Sequence, residues 1–328
     1  MRRSKVAITL GLVLGVALSA VVFVYGYSKY VLSLPTYVDT EETIPIEENL
    51  EDLEDLDPEM REGMEKPVFS NPEIRNILLI GSDRRDQSSH GRSDSMILVS
   101  INEKTQKIHL TSFGRTTWVS IPDDADPAYK RYWSPNYTLN AAHTWGGPRL
   151  LLKTVQRNYR IDVQDYVKVD FNSFMKVIDQ VGGVEIELTK AEASHLRGQG
   201  LSLQAGNELL NGEAALAYSR IRKIDNDWNR MGRQRTVIES LIKKMLNMSS
   251  TSILKLPEKI MPHLETNISQ SEVQNYVLNV LKYRKYEIDQ MFLPIETYQA
   301  LTKTSRGQEV YKIDWVKNIE ALIAFIES

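Results

Sequence analysis

The chain has no cysteine, which excludes disulfides, thiolate metal sites and a cysteine nucleophile. Histidine is scarce too: His90, His109, His143, His195 and His263 are scattered, without the spacing of a zinc-binding helix or a triad. They read as surface or core residues. No G-x-S-x-G elbow is present, so serine hydrolysis has no starting point. No internal repeat is visible. Strong positive charge is missing as well. The net charge of −3 hides a segment of −12 between Asp39 and Glu65, which leaves +9 elsewhere. Arg2, Arg3, Lys5 and Lys29 supply part of that, so everything after Glu65 is only mildly basic. This suits an anionic ligand and is too little for a general nucleic-acid binder.

What is there begins with a long apolar run. MRRSK precedes an uncharged stretch from Val6 to Ser28, which exceeds the roughly 20 residues that cross a bilayer as a helix. Arg2, Arg3 and Lys5 on its short side predict a cytoplasmic N-terminus and an external bulk. A cleaved signal peptide competes, with a small-x-small site at Ala17 and Ser19, but the apolar run continues through Val24. The chain therefore divides into a cytoplasmic stretch (1–5), a transmembrane anchor (6–28), an acidic extracellular linker (29–73) and a folded domain (74–328). Pro35, Pro45 and Pro58 break up the acidic segment, which reads as a solvated linker.

In the domain, NILLIG, SMILVSIN and KIHLTSF read as buried strands, the last two joined as a hairpin. A helix is expected around Arg149–Tyr159, then a strand YVKVD. A helix from Phe171 to Val181, stopped by Gly182 and Gly183, leads to a strand VEIEL. Helices recur near Ala214, Arg233 and Ser271, and a last one starts at the cap Asp314. The fold class is α/β: one domain with a central mixed sheet flanked by helices on both faces, preceded by one transmembrane helix.

The stretch with most chemistry is YSRIRKIDNDWNRMGRQR, which carries Arg220, Arg222, Arg230, Arg233 and Arg235. Each guanidinium is a permanently charged fork suited to paired phosphate or carboxylate oxygens. On one continuous helix Arg220 and Arg222 would point about 200° apart. In an extended chain after Ser219 they would share a side. Arg230 and Arg233, three apart at the start of a helix, are expected to face the same way. A solvated basic surface is the alternative. Asp83 and Asp94 bracket the turn between the first two strands and are expected at one sheet edge, with Arg115 ending the third strand nearby. They suit either a Mg²⁺ seat or ion pairs with Arg84, Arg85 and Arg92, and spacing alone does not choose. Trp133, in a polar loop, is the best tryptophan for stacking on a sugar ring.

NILLIGSDRRD, GRSDSMILVSIN, KIHLTSFGRTTWVSIP, TLNAAHTWGGPRLLLKTV, DYVKVDFNSF, VIDQVGGVEI, LNGEAALAYSRIR and DNDWNRMGRQR, in this order, resemble the LytR-CpsA-Psr family over about residues 74 to 240. The resemblance implies a phosphotransferase on the outer face of a Gram-positive-type cell membrane. Such an enzyme moves an anionic glycopolymer (wall teichoic acid, capsule or a related polysaccharide) from a polyprenyl-diphosphate carrier to peptidoglycan. It implies Mg²⁺ at Asp83 and Asp94, and diphosphate binding by Arg84, Arg115, Arg220, Arg222 and Arg230. Arg233 and Gln234 support the same site. Arg115 and Asp94 would be the catalytic pair, and Asn140 would be either structural or a support behind the site. Asp225 and Asp227 are further candidates for the base. One position departs from the family pattern: Arg115 is followed by Thr116, where aspartate is usual. That departure suits an alternative, a catalytically weak member that binds polyprenyl-linked glycans and regulates or scaffolds envelope assembly. The implied partners are the lipid-linked glycan, peptidoglycan and the membrane, and no nucleic acid.

Overall fold

The computed structural model describes residues 33–38, 43–45, 56, 58–83, 90–280, 282–304 and 307–328. The predicted anchor, residues 6–28, and Arg84 lie outside them. Among the described residues no helix is long and apolar enough to cross a membrane.

In chain order the elements begin with β1 (Thr36–Tyr37), α1 (Pro58–Met64), β2 (Ile74–Ser82), β3 (Ser93–Asn102), β4 (Lys107–Phe113), β5 (Trp118–Ser120) and β6 (Asn136–Thr138). Then come α2 (Leu139–Tyr159), β7 (Asp165–Asp170), α3 (Phe171–Gln180), β8 (Val184–Leu188), α4 (Lys190–Arg197), β9 (Gly206–Leu210), α5 (Gly212–Ser219), α6 (Asp227–Leu246) and α7 (Ser250–Ile260). The chain closes with β10 (Glu265–Thr266), α8 (Gln270–Asn279), β11 (Glu287–Leu293), β12 (Gln299–Lys303), β13 (Glu309–Ile313) and α9 (Trp315–Glu327).

The main sheet has the order β1-β10-β7-β2-β3-β4-β11. It is mixed: β2 runs parallel to β7 and antiparallel to β3, and β4 is antiparallel to β3 and parallel to β11. The expected hairpin is therefore β3–β4. Alternation along each strand feeds two cores. Leu78, Ile80, Met96, Leu98 and Phe113 face α1, α2 and α9. Ile77, Leu79, Ile97 and Leu110 face the opposite side, where α6 and α8 supply Ile238, Ile242 and Val273. Both faces of the sheet carry helices.

Gly182 and Gly183, at φ 82° and 87°, end α3 where a side chain would be strained, as read from the sequence. VEIEL is a strand, but among the described residues it pairs with β9 in a separate two-stranded sheet and stays out of the main one. Three differences carry physical reasons. The helix expected at Arg149 is the second half of α2, which starts at Leu139 and breaks at Gly146–Gly147 before Pro148. The helix expected near Arg233 begins six residues earlier, because the Asn226 side chain caps it by accepting from Asn229 N–H. The segment read as solvated linker is partly folded in. Ile44, Leu56, Met60 and Met64 are buried in the first core, and Ile44 N–H donates to Gln164 Oε1 at 2.8 Å. Scattered apolar residues among acids hide such an anchor from a composition count.

Candidate functional site

The site starts where β2 and β3 end. Gly81 pairs with Ser95 and Ser82 with Ser93, so Asp94 is the extra residue of a β-bulge. Bulges re-aim a side chain. Here the carboxylate Oδ1 comes to 3.6 Å from Arg115 Nη1 and 3.6 Å from Arg222 Nη2. Asp83 closes the turn between the strands: its N–H donates to the Arg92 carbonyl at 3.0 Å, and its Oδ1 accepts from Arg92 N–H at 2.6 Å. Arg115 follows Gly114 at the end of β4. A Cβ at Gly114 would sit 3.0 Å from Thr117 Oγ1 and 3.1 Å from Pro294, so glycine lets the strand end here. The start of α2 pins the turn, with Asn140 N–H donating to the Arg115 carbonyl and Leu139 N–H to that of Thr117. The Asn140 side chain itself accepts from the Thr138 hydroxyl at 2.9 Å.

The second contributor is the connection from α5 to α6. The helix stops at Ser219 and the chain leaves it through a turn at Arg220 (φ −103°, ψ 1°), so the connection is neither continued helix nor an extended strand, yet Arg220 and Arg222 line the same cavity. The Arg220 guanidinium lies 4.6 Å from the Phe171 ring centroid, a cation–π contact that holds it at the mouth. Arg230, in the first turn of α6, is 1% exposed and lines the same space.

The cavity, of about 250 Å³, lies between the second face of the sheet and helices α3, α5, α6 and α7. Its chemistry is graded along α6. Arg230, Gln234, Ile238 and Ile242 recur every fourth residue, and Leu241 and Met245 flank them on the same face. The stripe runs from cation through amide to hydrocarbon. Val167, Val169 and Ile97 from the sheet, Phe174 and Val177 from α3, Ile260 at the end of α7 and Leu264 beyond it complete the apolar part. Asp94, Arg220, Arg222 and Arg230 gather at the polar end. One amphipathic slot therefore offers cations to an anion and a greasy sleeve to whatever is attached to it.

Asp94, Arg115, Arg220, Arg222, Arg230 and Gln234 are thus brought together, with Asp83 at the base of the adjoining turn. Arg233 is not part of this group. Its guanidinium is turned into the protein and forks onto Asp225, with both N···O distances at 2.7 Å. The expectation that it faces the same way as Arg230 therefore does not hold: the two lie about 60° apart on the helix, and the carboxylate takes Arg233 out of the cavity. That bond holds the Asp225 carboxyl below its usual range and withdraws it as a base. The side chain of Asp227 lies outside those described. Trp133 is also elsewhere: its Nε1–H donates to the Pro122 carbonyl at 3.0 Å and its ring packs on the first core. An apolar slot lined by helices follows from the family resemblance, but Phe171 and the residues of its apolar half could not be named from the sequence. The fourfold spacing along α6 was readable, but a lining residue and a core residue look alike in sequence.

Among the described residues no group of three or more histidines and carboxylates could hold a metal. A Mg²⁺ asks for less: one or two carboxylates, waters and phosphate oxygens. The donor set of Asp83 and Asp94 fits that requirement.

The model of the LytR_cpsA_psr family matches residues 38–321. A polyisoprenyl-teichoic acid–peptidoglycan teichoic acid transferase of Oceanobacillus iheyensis, TagU, is 30% identical over 69% of this chain and 68% of its own. The biofilm regulatory protein A of Streptococcus mutans is 33% identical over 64% of this chain, and the match spans only about half (53%) of that relative. Among solved structures, a Streptococcus agalactiae protein superposes with a TM-score of 0.65 at 29% identity, over 78% of this chain and 87% of that one.

Proposed function

This chain belongs to the LytR-CpsA-Psr family, and on that premise we propose that it is a phosphotransferase moving an anionic glycopolymer from a polyprenyl-diphosphate carrier to peptidoglycan. The observation that carries the reading is the slot of about 250 Å³ with guanidiniums at one end and hydrocarbon at the other. A polyprenyl diphosphate has the same two-part chemistry. The name of the Oceanobacillus relative, a teichoic acid transferase, supports the class of polymer.

In this reading the isoprenoid tail lies along Ile238, Ile242 and Phe174. Arg220, Arg222 and Arg230 grip the diphosphate, with the Gln234 amide beside them. Transfer at phosphorus spreads negative charge over non-bridging oxygens and the leaving phosphate, and guanidiniums fixed beforehand stabilise that charge where water is excluded. Arg115 shares the Asp94 Oδ1 with Arg222 and would meet the transferring phosphate. Asp94 lines the cavity, which makes it the carboxylate we assign to take the proton of an acceptor hydroxyl. Asp83 and Asp94 would hold a Mg²⁺, which when bound would neutralise charge on the diphosphate. The proposal includes an anchor at residues 6–28, a cytoplasmic N-terminus and a catalytic domain outside the cell membrane.

Thr116 supports a second reading, a catalytically weak member that binds lipid-linked glycans and regulates or scaffolds envelope assembly. The regulatory name of the Streptococcus mutans relative is in keeping with it. One experiment separates the two. The full chain is incubated with a polyprenyl-diphosphate glycan, peptidoglycan and Mg²⁺, and glycan covalently joined to the acceptor is measured. Transfer supports the enzyme, binding without transfer supports the regulator, and absence of both removes the diphosphate reading.

A further inference from the structure

Arg233 stands in the arginine-rich stretch but lies away from the cavity. Its side chain is 4% exposed. Nη1 meets Asp225 Oδ2 at 2.7 Å, and Nη2 meets Oδ1 at 2.7 Å. Nη2 also donates to the Ile221 carbonyl at 2.9 Å. On the other side, Nη1 is 3.4 Å from Glu192 Oε1. Glu192 uses Oε2 for the capping box of α4, accepting from the N–H and hydroxyl of Thr189.

The geometry has a consequence for Arg222. Ile221 and Asp225 flank it on either side, in a stretch that is neither helix nor strand. No backbone ladder sets the shape of that stretch. A single guanidinium on the rigid α6 grips it both before and after Arg222, and a two-pronged Arg–carboxylate bond fixes orientation as well as distance. Burial works against the Arg233 charge, but Asp225 and Glu192 outweigh it and hold the group fully cationic.

We propose that Arg233 is a positioning residue, which through Asp225 and the Ile221 carbonyl holds Arg222 facing Asp94 before any ligand arrives. The inference rests on the reading of this site as a diphosphate seat. Arg222 is about half exposed, and without the clamp its loop would have to be ordered by the ligand at the expense of affinity. Lysine cannot replace the fork, because an ammonium is a point charge that cannot serve both carboxylate oxygens and a carbonyl in one plane.

The test uses the purified full chain, titrated with geranylgeranyl diphosphate and melted in parallel. Arg233→Gln would leave two carboxylates facing an uncharged group and is expected to unfold. The informative variants are therefore Asp225→Ala, on the surface loop, and Arg233→Lys. Each is expected to weaken binding about tenfold, the scale of one charge-assisted hydrogen bond, while the chain still melts cooperatively. The decisive measurement is the double variant. If the clamp acts through Arg222, Asp225→Ala added to Arg222→Ala weakens binding less than about twofold further, whereas a merely structural role makes the two losses multiply. Multiplying losses, or wild-type affinity in Asp225→Ala, would overturn the inference alone. Absence of binding by the wild-type chain would overturn the diphosphate reading and this inference with it.

Discussion

Shortening the prenyl chain of a diphosphate ligand probes the apolar half of the slot without touching the protein. A dry cavity of about 150 Å³ accommodates benzene, or about 25 Å³ per carbon. The slot of about 250 Å³, polar end included, therefore encloses at most about ten carbons, the size of a geranyl chain. Burying one CH₂ is worth about 0.8 kcal/mol, so cutting geranyl to dimethylallyl diphosphate forfeits up to about 4 kcal/mol, or about three powers of ten in Kd. Ordering the flexible tail offsets part of this, and a loss of about a hundredfold is the smallest the reasoning allows. Farnesyl diphosphate should gain little over geranyl, since the added isoprene leaves the enclosed space. Calorimetric titration of the three ligands, with inorganic diphosphate as reference, measures the series. Ile238→Trp, which fills the middle of the slot, should erase the geranyl advantage and leave inorganic diphosphate unaffected. Equal affinities for dimethylallyl and geranyl diphosphate would show that the tail does not lie here.

Arg220→Ala and Arg222→Ala should each weaken diphosphate binding by about tenfold or more, whereas Arg157→Ala on α2 should bind like wild type in the same titration. Equal affinity in all three would remove the arginine cluster from the mechanism. Burial, aided by the charge of Lys168, pulls the buried His143 imidazole down to about 3. Its unfolded value is near 6.5, so the stability it contributes is complete above about pH 6.5 and drains away towards pH 3 at about 1.4 kcal/mol per unit. Urea midpoints taken between about pH 7 and 5 should fall less steeply in His143→Asn, and parallel slopes would refute the assignment. Gly212→Ala would put a Cβ 2.2 Å from the Met175 carbonyl oxygen, forcing α5 off α3 and opening the cavity wall. A loss of about 1–3 kcal/mol is expected on urea unfolding, and an unchanged midpoint would contradict that contact.

Much of the architecture was readable because the signals are local. Continuous apolar runs bounded by turns identify β2, β3 and β4 as buried strands. Asp314 and the pair Gly182–Gly183 mark helix ends by capping chemistry, and each does so in the structure. Other elements were hidden because their partners are distant. The two-residue β1 is a strand only because β10, more than two hundred residues later, lies beside it. VEIEL has the alternation of any half-buried strand, and nothing local says that it pairs with β9 and not with the main sheet. At the site, continued helix and extended chain after Ser219 were both open, and the structure has a turn at Arg220 that serves the same end. The bulge that delivers Asp94 depends on a register that only paired strands possess.

By itself the sequence determined the chemistry available: a fixed supply of guanidiniums, two acids beside one turn, no thiol, and strands and helices in a set order. Local preferences and side-chain types need no partner to be expressed. Tertiary structure alone decided which of these groups meet. Arg230 and Arg233 are chemically identical and three residues apart, yet one faces the slot and the other is spent on Asp225. The reason lies outside the helix: three residues leave their directions only about 60° apart, and what each meets there is set by other segments of the chain.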